Sequence, residues 1–379
     1  MSEIRVDTIS EKTSTSGVTI DSVTIKDGKV VTQDSPYRNL IINGDMQVAQ
    51  RSTSATGKTA SGVYAVDRMA LGMETLGTWT VAQETLTSGN AYNAGFKKAF
   101  RIDCTTADAS PGSGDNLFFQ YKIEGQNMNE LKKGTSAAEK LTLQFWVKSN
   151  KTGTGQVVLF DDNSRAVGKT YAISSADTWE QKILTFPADT SGAIDNDNTK
   201  GFEIEWALDA GSTFQGGTLP ATWTTSNNNF RSLNDFALGD NTNNDWAITG
   251  IQLEIGDAAT DFEHLPYDVQ EQKCQRYCMV YGNGQNFNGG YYNATSYVCT
   301  VYFPTKMRAA PSVTCTDLTN SIRVYTNGGV DYLDTLGDNG DTVYISELYN
   351  NGDASATSGH AGSANINNGS FKLTYDSEL

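Results

Sequence analysis

Over most of its length the chain alternates apolar and polar residues. In "KLTLQFWVKS" the residues Leu141, Leu143, Phe145 and Val147 fall on one face, and in "GFEIEWALDA" Phe202, Ile204, Trp206 and Leu208 do the same. A period of two held this long predicts half-buried antiparallel strands, as in a β-sandwich. "DWAITGIQLEIG" alternates through Trp246 and Ile248, then shifts parity to Ile251, Leu253 and Ile255 across Gly250, which predicts a bulge at that glycine. A short helix is predicted in "NMNELKKG", closed by Gly134.

The two ends of the chain read differently from the middle. "IRVDTISEKTSTSGVTIDSVTIKDGKV" places Ile4, Val6, Val18, Ile20, Val23 and Ile25 in short stranded segments with turns at Ser16-Gly17 and Asp27-Gly28. Strands this short cannot bury their apolar sides alone, so residues 1–36 read as an arm that docks on a partner or wraps with copies of itself. Residues 37–266 hold the long alternating strands. Residues 283–379 have strands of their own, among them "SYVCTVYFP", "SIRVYT" and "SFKLTYD", separated by Gly/Asn/Asp/Tyr loops; they predict a second, smaller β-sandwich. Between the two, "FEHLPYDVQEQKCQRYCMVYG" predicts a connector helix over residues 267–282. Asp268 caps it, Glu271 completes a capping box and Gly282 stands at its C-terminal end. Cys274, Tyr277, Cys278 and Tyr281 then share one buried stripe.

Composition narrows the function classes. The chain of 379 residues has 28 basic and 44 acidic side chains, a net charge of −16, which repels nucleic acid and anionic membrane surfaces. No apolar run approaches the ~18 residues of a membrane span, and "MSEIRVDTIS" lacks the features of a signal peptide, so a soluble protein made in a cytoplasm is expected. The five cysteines, odd in number and scattered, read as free thiols and not as a disulfide framework. The Cys274-x₃-Cys278 spacing lacks the redox motif, and no second Cys/His pair completes a zinc set. With two histidines in the chain, catalysis is not expected.

Several blocks, in order, resemble those of bacteriophage tail fibre and appendage proteins: "NLIINGDMQVAQR", "YAVDRM", "LTLQFWVKS", "ITGIQLEIGDAATDFEH" and "CQRYC". The opening segment is similar to the virion-attachment segments of fibres from phages of marine bacteria. The last hundred residues match only through "VYFPTKMRAAPSVT". The resemblance implies an elongated homotrimer in the virion, all-β in class, whose arm binds tail or portal adaptor proteins through Ile4, Val6, Val18, Ile20, Val23 and Ile25. It also implies a jelly-roll like those of carbohydrate-binding modules, and a distal sandwich that meets host polysaccharide or lipopolysaccharide. The repeats of tailspike depolymerases are missing, so hydrolysis is not carried over. A structural adaptor or head fibre without receptor binding is the competing reading, and a depolymerase the third.

Sugar recognition calls for exposed aromatic rings flanked by amides and carboxylates. The distal loops offer Phe287, Tyr291, Tyr292, Tyr297, Tyr325 and Tyr332 among Asn, Asp and Gln residues. Trp79, Trp146 and Trp223 are expected to be covered by packing. "DNDNTKG", Asp195–Gly201, begins like a calcium loop but has lysine where glycine is required, and reads as a turn. No cofactor is expected, and any structural calcium would first be sought at Asn43–Asp45. Glu203 and Glu205 share a strand face as glycosidase carboxylates do, but read as the solvated side of an amphipathic strand.

Overall fold

The computed structural model describes residues 18–20, 23–26, 29–31 and 37–379, apart from 234–235, 317, 327–328 and 353. Ile4 and Val6 lie outside the described residues. Val18 and Ile20 fall in β1 (Val18–Ile20), and Val23 and Ile25 in β2 (Val23–Lys26); with β3 (Lys29–Val31) these form a three-stranded antiparallel sheet. The side chains of this arm are likewise outside the description.

The long alternating segments become β4 (Ser54–Val63), β5 (Ala70–Thr85), β6 (Lys98–Thr106), β7 (Asn116–Glu124), β8 (Leu141–Ser149), β9 (Gly153–Asp161), β10 (Arg165–Ile173), β11 (Glu180–Phe186), β12 (Lys200–Ala210), β13 (Thr224–Thr225) and β14 (Asp245–Ile255). They form an antiparallel sheet ordered β11-β8-β14-β6-β5-β7-β12-β9-β10-β13, with β4 hydrogen-bonded to β5. β5 turns the corner: Ala70–Glu74 pairs with β7 and Thr78–Thr85 with β6, and between them Thr75 and Gly77 take φ of 50° and 63°. The sheet thereby curls onto itself. Phe145 on β8 meets Trp206 on β12 edge to face at 5.7 Å, although four strands lie between them in the sheet order. Trp79, Trp206 and Trp246 are fully buried in this core, with Phe100, Phe119 and Phe145 around them. The inward parity of Leu143, Phe145, Ile204 and Trp206 is the one the alternation predicts.

A 3-10 helix at Gly125–Leu131 replaces the predicted short helix, and Lys132 ends it in the left-handed region. Gly250 does sit at a bulge, with φ of +61° and a register shift between Thr249 and Gln252. A short helix α1 (Asn90–Asn93) covers the outer side of the sheet near β11.

The connector is shorter than its sequence suggests. Helix α2 spans Tyr267–Gln275, and Cys278–Tyr281 forms a strand, β15. A run of Cys, Met, Val and Tyr favours extended backbone, and β15 gains a full cross-strand ladder with β24 (Leu373–Asp376). Cys274, Tyr277, Cys278 and Tyr281 are all buried, but as parts of a helix, a turn and a strand and not as one helical stripe.

The remaining strands are β16 (Asn286–Asn293), β17 (Ser296–Tyr302), β18 (Ser312–Cys315), β19 (Ile322–Thr326), β20 (Gly329–Leu333), β21 (Gly337–Asp341), β22 (Ile345–Asn351) and β23 (Ala361–Ile366). β15, β24 and β18 form one sheet and β20-β19-β23-β16-β17-β22-β21 the other; Tyr281, Phe287, Leu348 and Tyr375 are buried in the cluster between them. The two sandwiches meet through buried charge. Arg276 grips both oxygens of Glu124 at 2.7 Å, and the Tyr277 hydroxyl donates to the same carboxylate. Arg68, buried over the Tyr277 ring at 3.5 Å, pairs with Glu378 and donates to the Lys122 carbonyl.

Candidate binding face

The seven-stranded sheet has one face in the core and one outward. On β16, Phe287 and Tyr291 enter the core while Asn288 and Tyr292 are exposed. Cross-strand partners share a face, so the register defines the outward surface. Arg323 pairs with Tyr332 and Asn365, and Asn365 with Asn286; Tyr325 pairs with Ser363, and Ser363 with Asn288. Ala361 pairs with Gly290, Gly290 with Val298, and Val298 with Tyr349. Rings therefore stand on both flanks of a surface of amides, hydroxyls and small residues. Tyr325 and Tyr332 are 44% and 38% exposed on β19 and β20 at one flank, Tyr349 stands on β22 toward the other, and Tyr292 is 79% exposed on the central strand β16. The Arg323 guanidinium lies 4.9 Å from the Tyr325 ring and props it. From β19 to β22 the face crosses four strand spacings, about 19 Å.

Between β16 and β22 the face opens into a hollow of about 860 Å³, lined by Gly289, Gly290, Tyr292, Asn293, Glu347 and Tyr349. Its floor depends on glycine. A Cβ on Gly289 would sit 2.1 Å from the Val298 carbonyl oxygen and 2.8 Å from the Tyr297 hydroxyl. Beneath the floor Tyr291 and Tyr297 pack edge to face at 5.3 Å, and the Tyr297 hydroxyl donates to the Gly362 carbonyl at 3.1 Å. Burial pushes the Tyr297 hydroxyl well above the usual phenol range.

Three of the six aromatics expected at this site are thus core residues. Phe287, Tyr291 and Tyr297 are 6%, 2% and 1% exposed, because their parity matches buried Cys299 and Val301 on β17 and Ala364 on β23. Tyr292, Tyr325 and Tyr332 are on the outward face. Sequence reasoning missed Asn288, Glu347, Tyr349 and the 74% exposed Tyr302. Strict alternation would have found them, since Tyr302 is of opposite parity to Tyr297 in "SYVCTVY".

The carboxylates weighed for hydrolysis are buried side chains on the lining of a hollow of about 520 Å³ that they share with Lys200 and Arg231. Glu205 is buried and held by Arg231 through Nε at 3.0 Å and Nη2 at 2.5 Å, with Gln120 donating at 3.0 Å. Burial lifts its carboxyl above the usual range against the pull of Arg231. Glu203, also buried, accepts from Lys200 at 2.6 Å. Arg231 in turn lies over Phe118 at 4.5 Å and Phe214 at 5.1 Å. The expected solvated side is covered by residues 212–231, which pack on it through Phe214 and Phe230.

The places weighed for calcium carry protein hydrogen bonds. The Asn43 amide donates to the Val48 and Asp67 carbonyls and accepts from the Val48 N–H, and Asp45 accepts from Gln270 of α2. In Asp195–Gly201, Asp197 accepts from the Thr199 N–H and hydroxyl, closing a turn.

No protein-family model matches the chain, and no curated protein matches its sequence. Among solved structures it is similar to the enzymatically active domain of tailspike protein 4 of bacteriophage CBA120, at 14% identity and a TM-score of 0.30 over 58% of this chain and 22% of that one. It is also similar to a family 11 carbohydrate-binding module from Clostridium thermocellum, at 11% identity and a TM-score of 0.25 over 55% of this chain and 98% of the module. The N-terminal cellulose-binding domain of a Cellulomonas fimi β-1,4-glucanase shows 11% identity and a TM-score of 0.23 over 44% of this chain and 82% of the domain.

Proposed function

We propose that the protein is a subunit of a trimeric phage tail fibre or appendage that docks on the virion through its N-terminal arm and binds host surface glycan without cleaving it. The observation that carries the glycan reading is the outward face of the C-terminal sheet. A pyranose presents an apolar C–H side and a rim of hydroxyls; Tyr292, Tyr325 and Tyr332 offer rings to the first, and Asn286, Asn288, Ser363 and Asn365 offer amides and a hydroxyl to the second. The resemblance of the ordered sequence blocks to fibre proteins supports the virion role. The pairing of Glu203 with Lys200 and of Glu205 with Arg231 supports binding over hydrolysis, because both carboxylates are engaged within the protein.

The test is adhesion of fluorescently labelled full-length protein to a panel of bacterial cells, beside the triple variant Tyr292→Ala, Tyr325→Ala, Tyr332→Ala. Strain-selective adhesion that the triple variant loses supports the reading. Selective adhesion unchanged in the variant moves the receptor site elsewhere, and its absence for every strain makes the structural adaptor the better account. Reducing ends released from envelope polysaccharide would favour the depolymerase.

A further inference from the structure

The first sandwich has a hollow of its own. On the outer face of β8, Gln144 and Trp146 stand side by side on the strand, and Gln181 of the edge strand β11 is the cross-strand partner of Trp146. The bulge at Gly250 brings in a ring from above: a Cβ there would lie 2.6 to 3.0 Å from the Phe96 ring. Phe96 meets Phe262 at 4.9 Å and His264 at 5.4 Å, and Phe262 meets His264 at 4.8 Å. Half-buried Trp146, this aromatic group, Gln144 and Gln181 enclose about 360 Å³.

The polar groups in this hollow are arranged and partly unused. The Gln144 amide donates to the Thr260 carbonyl at 2.6 Å and its oxygen accepts from Gln181 at 3.1 Å, which fixes the Gln181 side chain. No hydrogen bond among the described residues uses the Gln181 carbonyl oxygen or the ring nitrogens of His264, so the hollow holds aromatic walls together with free acceptors and donors. Gln181 and His264 are exposed, so their unused polar atoms face water and can exchange it for a ligand's hydroxyls without leaving a buried group unpaired. Phosphate or another anion is a poor fit, since no lysine or arginine lines the space.

We propose that this hollow is a second saccharide site that takes one pyranose ring. Trp146 stacks on the C–H face of the sugar while Gln181 and His264 read its hydroxyls. The inference shares the ligand class of the distal face but uses a separate site, so each can fail alone. With both present, one subunit engages a glycan at two points and gains avidity from the second.

The experiment uses full-length protein labelled with 5-fluorotryptophan. Its six tryptophans give separate fluorine resonances, Trp146 being assigned by Trp146→Phe. The probes are methyl glucopyranoside, methyl galactopyranoside, methyl mannopyranoside and N-acetylglucosamine. A saturable shift of the Trp146 resonance with at least one of them is expected in the wild type and equally in the triple tyrosine variant. It should weaken about tenfold in Gln181→Ala, whose remaining resonances report an intact fold. No saturable shift with any probe overturns the second site. If polysaccharide binding is nonetheless lost in the triple variant, the distal reading survives that failure; a Trp146 shift without any distal dependence has the converse meaning.

Discussion

Single residues show how burial, more than sequence neighbourhood, sets the chemistry of this chain. Cys104, Cys274, Cys278 and Cys299 are buried and Cys315 is exposed. Burial pushes the Cys104 thiol up to about 11 and that of Cys299 up to about 12, and lifts Cys274 and Cys278 well above the usual range. Burial also raises the Cys315 thiol, but it alone is open to a reagent, so at pH 8 a thiol reagent should label one site ahead of the rest in the native protein and five after unfolding. Peptide mapping should place the fast label on Cys315. Asp209 gives a pH prediction. Its Oδ2 accepts from the Gly239 N–H at 2.7 Å, its Oδ1 has no partner, and burial pushes its pKa up to about 6. A carboxyl that holds its proton more tightly when folded stabilises below the unfolded pKa near 4, and that contribution is lost as pH rises through about 6. Asp209→Asn should therefore gain stability over the wild type between pH 4 and pH 7, by on the order of 2 kcal/mol in denaturant titrations.

At the scale of elements, alternation was the most legible signal and parity its most useful part. Leu143, Phe145, Ile204 and Trp206 could be placed inward from sequence alone because period two leaves only two faces. The same rule in "NFNGGYYN" and "SYVCTVY" separates Tyr292 from Tyr291 and Tyr302 from Tyr297, yet the loop-like glycines disguised β16 as a turn. Gly289 is there for close approach over the Tyr297 hydroxyl, not for a bend. The helix extent was hidden for another reason: Cys278–Tyr281 fits a helical stripe locally, and only the distant ladder to β24 makes it a strand. The cover over Glu203 and Glu205 was equally illegible, since Phe214 and Phe230 lie in a segment without regular pattern. Gly250 gave its bulge away by breaking parity. Gly250→Ala combines a positive φ with a clash on Phe96, and should destabilise by about 2–4 kcal/mol. Chemical denaturation should show that loss, and sugar-dependent shifts at Trp146 should weaken with it.

Across the whole molecule, the two sandwiches are joined by groups that are costly to leave unpaired. Arg68 is buried against Tyr277 and Tyr121, and Glu378 of the C-terminal segment neutralises it. Lys372 donates to the Gln50 carbonyl and Arg51 pairs with Asp376 at 2.8 Å, so the last strand is tied back to the first sandwich along its length. Glu378→Ala should cost about 3–5 kcal/mol, because it strands a buried guanidinium; the loss should appear as a lower midpoint for the whole protein in calorimetry. A cut at Gly282 would remove β24 from β15 and uncover Arg68, so point substitutions on the outward face are the sounder probe of function.

The central claim is that this outward face binds glycan, and calorimetric titration of purified envelope polysaccharide into full-length protein tests it most directly. Each stacked ring should contribute about 1 kcal/mol, so Tyr332→Ala alone should weaken binding several-fold, and the triple tyrosine variant by about a hundredfold, with unchanged thermal stability. Equal affinity of the wild type and the triple variant for a polysaccharide that both bind would contradict the account.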